Sequence, residues 1–173
     1  AAQATVDAVL AAVKERGDAA LKEYTERFDG VVLDCLRVDP AATKAAWQRA
    51  PLALRDALQL AHRRISAFHR EQLPQDIELK GPHGERLGRR WRPVNSAGLY
   101  VPGGRAAYPS TVLMNAIPAQ VAGVKQVVMV TPPGPDGQVN PAVLAAAHVA
   151  GIDQIYSVGG AQAVAALAFG TES

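Results

Sequence analysis

The chain has 173 residues, of which 49% are hydrophobic, and its formal net charge at pH 7 is +2. This length suffices for one domain with a hydrophobic core, or for one domain with a helical appendage. The small net charge, without a run of basic residues, argues against nucleic acid or an acidic membrane surface as a partner. Because no apolar stretch approaches the roughly 20 residues that span a bilayer and the first residues lack a signal-peptide pattern, we expect a cytoplasmic protein without a membrane anchor.

Charged residues are distributed unevenly along the chain. The second part, residues 96–173, contains only the following charged side chains: Arg105, Lys125, Asp136, Asp153 and Glu172. A segment with so few charges has little to present to solvent, so we expect it to be covered by the first part, by a second subunit or by further chain. The contrast divides the chain into an N-terminal region, residues 1–95, and a second unit, residues 96–173.

Cys35 is the single cysteine of the sequence. It therefore excludes an internal disulfide and a metal cluster built from cysteines. Its neighbours Asp34 and Leu36 supply no positive charge that would activate the thiol. We expect a packed structural thiol rather than a nucleophile.

The chain begins with a helical pattern. Apolar residues at helical spacing predict helix over residues 3–28, with an interruption at Gly17. A short strand is predicted over residues 33–38. It ends where Asp39 is a suitable helix N-cap and Pro40 a suitable first helical residue. The N-terminal region therefore starts as a set of short helices with one strand among them.

A second, longer helix is predicted over residues 51–72. Its apolar stripe faces the core, and His62 and His69, seven residues apart, share a face. No carboxylate or third nitrogen in the sequence nearby completes a zinc site, so we assign no metal role to either histidine.

After this helix the pattern changes to the alternation of a β-hairpin, over residues 76–94. The segment 86–92 is basic and carries one tryptophan, a combination found in some nucleic-acid interfaces. On a short exposed strand, alternating arginines are more typical of a solvated edge or a subunit contact, which is the interpretation we adopt.

The second unit repeats strand and helix. Short apolar, β-branched strands are predicted over residues 97–101, 126–131 and 154–158, and helices follow them over residues 109–122, 141–150 and 161–169. Strands of this kind alternating with helices are typical of a parallel sheet covered on both faces. The sequence thus predicts an α/β fold, a doubly wound parallel sheet preceded by a helical region and a β-hairpin.

Two glycine-containing turns mark candidate ligand sites at the carboxyl ends of these strands. One contains Pro102, Gly103 and Gly104, and the other runs from Gly159 to Gln162. Each leads directly into a helix, whose unpaired N–H groups favour an anion such as a phosphate. Neither turn matches the Gly-x-Gly-x-x-Gly dinucleotide pattern, so any nucleotide would be held in a non-standard way.

Two polar side chains flank these turns. Tyr100 offers a ring for stacking and a hydroxyl, and Gln162 offers an amide donor and acceptor. The alternative interpretation makes Tyr100 a half-buried strand aromatic and Gln162 an amide that caps its helix. The residue types by themselves favour this structural interpretation.

Three runs of sequence resemble the histidinol dehydrogenase family. They are residues 98–104 (Gly-Leu-Tyr-Val-Pro-Gly-Gly), residues 108–114 (Tyr-Pro-Ser-Thr-Val-Leu-Met) and residues 158–173, which begin Val-Gly-Gly-Ala-Gln-Ala-Val-Ala. Residues 17–21 and 64–69 agree with the same family. The resemblance covers essentially the whole chain but only about the first two-fifths of the family's usual chain.

The resemblance implies an incomplete Rossmann-like sheet within an aldehyde dehydrogenase-like architecture. It also implies a zinc-containing homodimer that oxidises L-histidinol through an aldehyde to L-histidine with NAD, in histidine biosynthesis. Matched motif by motif, Tyr100 and Gln162 correspond to NAD-binding positions, and Pro102 and Ser110 are weaker candidates for the same pocket.

The family's catalytic Glu-His pair, its zinc ligands and its substrate-holding residues do not match any motif of this sequence. We therefore assign no catalytic or metal-binding residue within the chain, and we expect an N-terminal portion of the enzyme that has no turnover by itself. Two alternatives remain. One is a paralogous zinc- and NAD-dependent alcohol dehydrogenase acting on another small alcohol, and the other is a non-catalytic α/β binding or assembly module.

Overall fold

The computed structural model describes residues 2–103 and 106–173, so Gly104 of the first glycine turn lies outside the described residues, as does Arg105. In chain order the elements are α1 (Ala2–Arg16), α2 (Asp18–Asp29), α3 (Pro40–Arg49), α4 (Leu52–Glu71), β1 (Ile77–Lys80), β2 (Arg86–Arg89), β3 (Ser96–Tyr100), α5 (Pro109–Val121), β4 (Gln126–Thr131), α6 (Pro141–Ala150), β5 (Gln154–Ser157) and α7 (Gly160–Phe169). The alternating strands and helices predicted for the second unit are confirmed, with bounds that differ by at most one residue.

The centre of the fold is a three-stranded parallel sheet in the order β3-β4-β5. Its register places Tyr100 beside Val130 and Val130 beside Tyr156, so these three side chains share one face. Helices α5 and α6 cover the opposite face, and α7 covers the face that carries Tyr100. The predicted α/β class with a parallel sheet wound on both sides is confirmed.

Two apolar cores lie on the two faces of this sheet. The first joins α3 and α4 to α5 and α6 and to inward side chains of the sheet, including Leu99, Met129 and Ile155. The second joins α1 and α2 to α7 and includes Val130 and Val158. Helices of the N-terminal region thus cover both faces of the weakly charged second unit, which explains how a segment with so few charges is shielded from water.

Helix α3 begins as the sequence predicts. The backbone N–H of Ala41 donates to the Asp39 carboxylate at 2.8 Å, and Pro40 occupies the first helical position. Helix α2, by contrast, has no side-chain cap from its own neighbours. Its first N–H, from Asp18, donates to Glu172 Oε2 at 2.8 Å, so this helix is capped by a carboxylate 154 residues away.

The strand predicted over residues 33–38 is wrong. This segment forms a single antiparallel bridge, Arg37 to Tyr156, supported by hydrogen bonds from Val38 N–H to Ile155 O and from Ser157 N–H to Leu36 O. The pairing stops there because Pro40 starts a helix two residues later. The expectation of a packed Cys35 is also wrong, since its thiol is exposed at this edge of the sheet.

The predicted β-hairpin is confirmed as the antiparallel pair β1-β2, with Leu79 opposite Leu87. All eight strand residues are exposed. Its base is fixed by the Asp76 carboxylate, which accepts hydrogen bonds from Trp91 N–H at 2.7 Å and from the Arg92 guanidinium at 3.0 Å. These two donors lower the pKa of Asp76 below its usual value. Among the described residues, no helix is long and apolar enough to cross a membrane.

Candidate functional site at the carboxyl edge of the sheet

The candidate site begins where β3 ends and α7 starts. Because side chains alternate along a strand, Tyr100 projects to the face covered by α7. Its hydroxyl oxygen accepts a hydrogen bond from the backbone N–H of Gly160 at 3.1 Å. This contact satisfies one of the N–H groups that a helix leaves unpaired at its first turn. Tyr100 remains partly exposed, with 36% of its surface accessible.

Gln162 lies two residues further along, in the first turn of α7, and is almost fully buried, with 1% exposure. Its side-chain Oε1 and Nε2 make no hydrogen bond to any described residue. A buried amide without partners costs about 1–3 kcal/mol in lost hydration. The Gln162 side chain therefore has an acceptor oxygen and a donor nitrogen without a partner among the described residues.

Gly160 connects these two side chains. Its φ of +66° lies in the left-handed region, and a Cβ placed on it would lie 2.5 Å from Gln162 Oε1. Glycine is therefore required here for two reasons, the backbone conformation and the close approach of the Gln162 amide. The structure brings Tyr100 and Gln162 together through this one residue, as neighbours on either side of the α7 N-terminus.

Pro132, which follows β4, is a residue of this region that the sequence analysis did not single out. A Cβ on Gly103 would lie 2.6 Å from Pro132 Cγ, and a Cβ on Gly159 would lie 2.6 Å from Pro132 Cβ. The glycines of both turns thus make room for this proline, whereas the sequence suggested room for a ligand. The only signal in the sequence was the Pro-Pro pair that directly follows the strand predicted over residues 126–131.

Pro102 follows β3, two residues beyond Tyr100. It lines a cleft of about 760 Å³ that is bounded by α3, the loop after β4 and the start of α6. The lining is mostly Ala, Pro and Gly, with Arg49 and Asp136 as its charged members. Neither Tyr100 nor Gln162 lines this cleft, and Ser110, which is exposed on the first turn of α5, does not line it either. Of the four predicted residues, Tyr100 and Gln162 are thus linked through Gly160, Pro102 lines the cleft and Ser110 lies at the start of α5.

The electrostatics near the pair follow from its position at the start of α7. The two carboxylates with shifted pKa values belong to other segments, since Asp76 lies at the base of the hairpin and Asp29 ends α2. The positive end of the α7 dipole is the main electrostatic feature there, and it favours a polar or anionic group. Within residues 2–103 and 106–173, no cluster of three or more His, Cys, Asp or Glu side chains is placed to hold a metal ion. This arrangement is suited to binding and orienting a ligand.

Comparison with known proteins identifies relatives over the full chain. A family model described as histidinol dehydrogenase matches residues 1–173. The histidinol dehydrogenase of Parasynechococcus marenigrum (strain WH8102) is 64% identical over 171 residues, covering 99% of this chain and 39% of the relative. That of Thermosynechococcus vestitus (strain NIES-2133 / IAM M-273 / BP-1) is 58% identical over 173 residues and is covered to 40%.

A solved structure also matches closely. The crystal structure of histidinol dehydrogenase from Elizabethkingia anophelis superposes with a TM-score of 0.93 at 40% sequence identity, over 99% of this chain and 40% of that chain. The chain spans about two-fifths of the length of the relatives it matches.

Proposed function

The chain belongs to the histidinol dehydrogenase family, and on this premise we propose that it is the N-terminal portion of an NAD-dependent enzyme that oxidises L-histidinol to L-histidine. In this proposal the chain contributes part of the NAD site. The family assignment supports oxidoreductase activity and a place in histidine biosynthesis for the whole protein. We further propose that the whole protein is a cytoplasmic homodimer that requires zinc.

The observation that carries the proposal is the unsatisfied amide of Gln162, which Gly160 links to the Tyr100 hydroxyl. An amide with a free donor and a free acceptor matches the mixed hydrogen-bonding groups of a dinucleotide. The N-terminus of α7 favours the negative charge of its phosphates. NAD, when bound, supplies the hydride acceptor for oxidation of the alcohol and of the aldehyde that follows it.

Each residue has a distinct part in this site. Tyr100 would position the ligand by stacking or through its hydroxyl, and it keeps the first turn of α7 in place through Gly160. Gln162 would bind the ligand with its amide. Pro102 and Ser110 are weaker candidates, because only the resemblance of their motifs to the family supports them.

The described residues do not provide a zinc site, and we derive no zinc chemistry from them. Proton transfer from the alcohol and activation of the alcohol both need groups that this chain does not bring to the pair. We therefore propose that the 173-residue chain alone has no turnover. Histidinol-dependent formation of NADH by the folded, isolated chain would contradict this.

The test uses the full-length enzyme and follows NADH absorbance at saturating histidinol. We expect Tyr100→Phe and Gln162→Ala each to raise the KM for NAD by about 3- to 10-fold, the worth of one hydrogen bond. Matched controls are Tyr156→Phe, a tyrosine in the same row of the sheet whose hydroxyl donates to Ser173 O, and Gln120→Ala. The controls should leave the KM for NAD unchanged.

The outcome separates binding from structure. If all four variants raise the KM for NAD equally, the effect comes from general destabilisation and the proposed site is wrong. If the first two raise it while the KM for histidinol stays constant, the pair contacts the nucleotide and not the alcohol.

A further inference from the structure

The β1-β2 hairpin, here called the arm (residues 77–89), is the most exposed part of the described chain. The side chains of Leu79 and Leu87 lie directly opposite each other and are 63% and 67% exposed. No other described strand pairs with either edge of the arm. An isolated two-stranded hairpin is at best marginally stable in water, and an open edge invites a further strand. The arm therefore has both an apolar face and an unpaired edge that call for a partner.

The hydrogen-bond pattern of the arm shows which backbone groups are open. Gly81 N–H donates to Glu85 O across the two strands at 2.8 Å. Hydrogen-bonded pairs alternate in an antiparallel ladder, so Leu79 and Ile77 also direct their backbone groups towards β2. Glu78 and Lys80 therefore direct theirs outward, along the free edge of β1.

The two side chains on this edge, Glu78 and Lys80, have opposite charges, and Lys80 makes one unfavourable contact. Glu78 is ion-paired with Arg86 at 2.6 Å. Lys80 lies directly opposite Arg86 in the ladder, a like-charge pair that destabilises the hairpin. A carboxylate on the open side of Lys80 would relieve this repulsion.

We propose that the arm pairs with the same arm of a second copy of this chain, β1 against β1, about a two-fold axis through Leu79. This arrangement places Glu78 opposite Lys80 of the second copy, twice, and uses the four outward backbone groups in hydrogen bonds. It also aligns Leu87 and Leu79 with the same two residues of the second copy in one row across a four-stranded sheet. The inference deepens the proposed homodimer, but it is tested by assembly and not by turnover.

Other registers do not fit the sequence. A two-fold axis through Glu78 would oppose two carboxylates, and one through Lys80 would oppose two ammonium groups. A two-fold axis midway between Glu78 and Leu79 would place residues whose backbone groups point outward opposite residues whose backbone groups point towards β2, so the ladder hydrogen bonds could not form. Along the β2 edge, an axis through Leu87 would oppose Arg86 to Gly88 and offers no charge attraction. The axis through Leu79 is the one register that satisfies both charge and hydrogen bonding.

The first experiment tests the two-fold position by disulfide formation in the full-length protein. In a Cys35→Ser background, Leu79→Cys places two thiols opposite each other, at the roughly 4.5 Å Cα separation of a pair that shares no hydrogen bonds, within the range of a disulfide. Leu87→Cys is the matched control, because it is equally exposed but would lie about 14 Å from its counterpart, three strand spacings away. Under mild oxidation we expect a covalent dimer from Leu79→Cys and none from Leu87→Cys.

The second experiment tests the charge pairing by sedimentation velocity over a range of protein concentrations. Lys80→Glu should raise the dimer dissociation constant about tenfold or more, since two symmetric attractive pairs become repulsive. The same change relieves the repulsion with Arg86 within the hairpin, so an effect confined to one hairpin would have the opposite sign. The double variant Glu78→Lys with Lys80→Glu should restore the dissociation constant to within about threefold. Lys44→Glu, an exposed lysine on α3, is the control for the change in net charge.

Three results would overturn the proposal. They are a monomeric full-length protein, a Leu79→Cys variant that crosslinks no better than Leu87→Cys, and a Lys80→Glu variant that assembles like the Lys44→Glu control. In each of these cases the edge of the arm is covered by a different part of the polypeptide or by another protein. Histidinol oxidation by the same samples is measured separately, so failure of the pairing is distinguished from failure of the proposed activity.

Discussion

Substitution of Gly160 by alanine tests the geometry of the candidate site most directly. Two free-energy costs make this substitution destabilising. An alanine at a φ of +66° costs about 1–2 kcal/mol in backbone strain. Its Cβ would also lie 2.5 Å from Gln162 Oε1, and moving this buried side chain away from its preferred rotamer costs about 0.5–1.5 kcal/mol more. We expect Gly160→Ala to lower the free energy of unfolding by about 1.5–3.5 kcal/mol.

Gly151 provides a control with the same backbone strain. It ends α6 at a φ of +67°, and a Cβ placed on it meets no atom within 4 Å. Gly151→Ala should therefore carry only the backbone term, about 1–2 kcal/mol. Both free energies are obtained from urea unfolding of the chain followed by circular dichroism.

A double-mutant cycle isolates the contact itself. In a Gln162→Ala background the opposing amide is absent, so the cost of Gly160→Ala should fall to the value for Gly151→Ala. If Gly160→Ala and Gly151→Ala cost the same with and without Gln162, the amide does not lie against Gly160. The reasoning that joins Tyr100 and Gln162 through this glycine would then be refuted.

Three further substitutions have defined outcomes. Glu172→Ala should cost about 0.5–2 kcal/mol in urea unfolding, because α2 loses the carboxylate that caps it, while Glu172→Gln should cost less since it keeps an acceptor. Burial raises the pKa of Asp29, and its charge also lies at the unfavourable C-terminal end of α2, so Asp29→Asn should stabilise the chain at pH 7 by about 0.3–1 kcal/mol. This gain should fade as the pH falls through the raised pKa of the native carboxyl, and it should be gone below the unfolded value of about 3.9, where both states are protonated. An unchanged gain in acid would contradict the assignment. The pKa of Asp76 is lowered, so the hydrogen bond that its carboxylate accepts from Trp91 N–H is fully present above about pH 3.9 and is lost in stronger acid. Asp76→Asn should therefore speed hydrogen exchange of the Trp91 amide at pH 7, and it should have no such effect below the lowered pKa.

Local signals in the sequence determined most of the secondary structure. Asp39 and Pro40 predicted the start of α3 because N-capping and a fixed φ act within a few residues. The β-branched runs predicted the strands of the parallel sheet because burial on both faces demands a nearly continuous apolar sequence. The motif around Tyr100 and that around Gln162 identified the candidate site for the same reason, since each motif is contiguous in the chain.

Contacts between distant segments could not be predicted in this way. Residues 33–38 have the pattern of a strand, yet the length of their pairing depends on how much of the β5 edge they reach, and they form one bridge. Gly103 and Gly159 suggested room for a ligand, whereas both make room for Pro132, which neither motif contains. Cys35 was expected to pack because its neighbours are unremarkable, but exposure depends on what lies across from it.

The sequence by itself determined the fold class and the family and proposed Tyr100 and Gln162 as site residues, because these depend on patterns within short stretches of chain. The tertiary structure showed how two of the proposed residues are linked. It joined Tyr100 to Gln162 through Gly160, placed Pro102 in the lining of a cleft, and left the Gln162 amide buried without a partner among the described residues. These outcomes depend on the register of the sheet and on the face to which α7 returns, and both are set by packing across 60 residues of sequence.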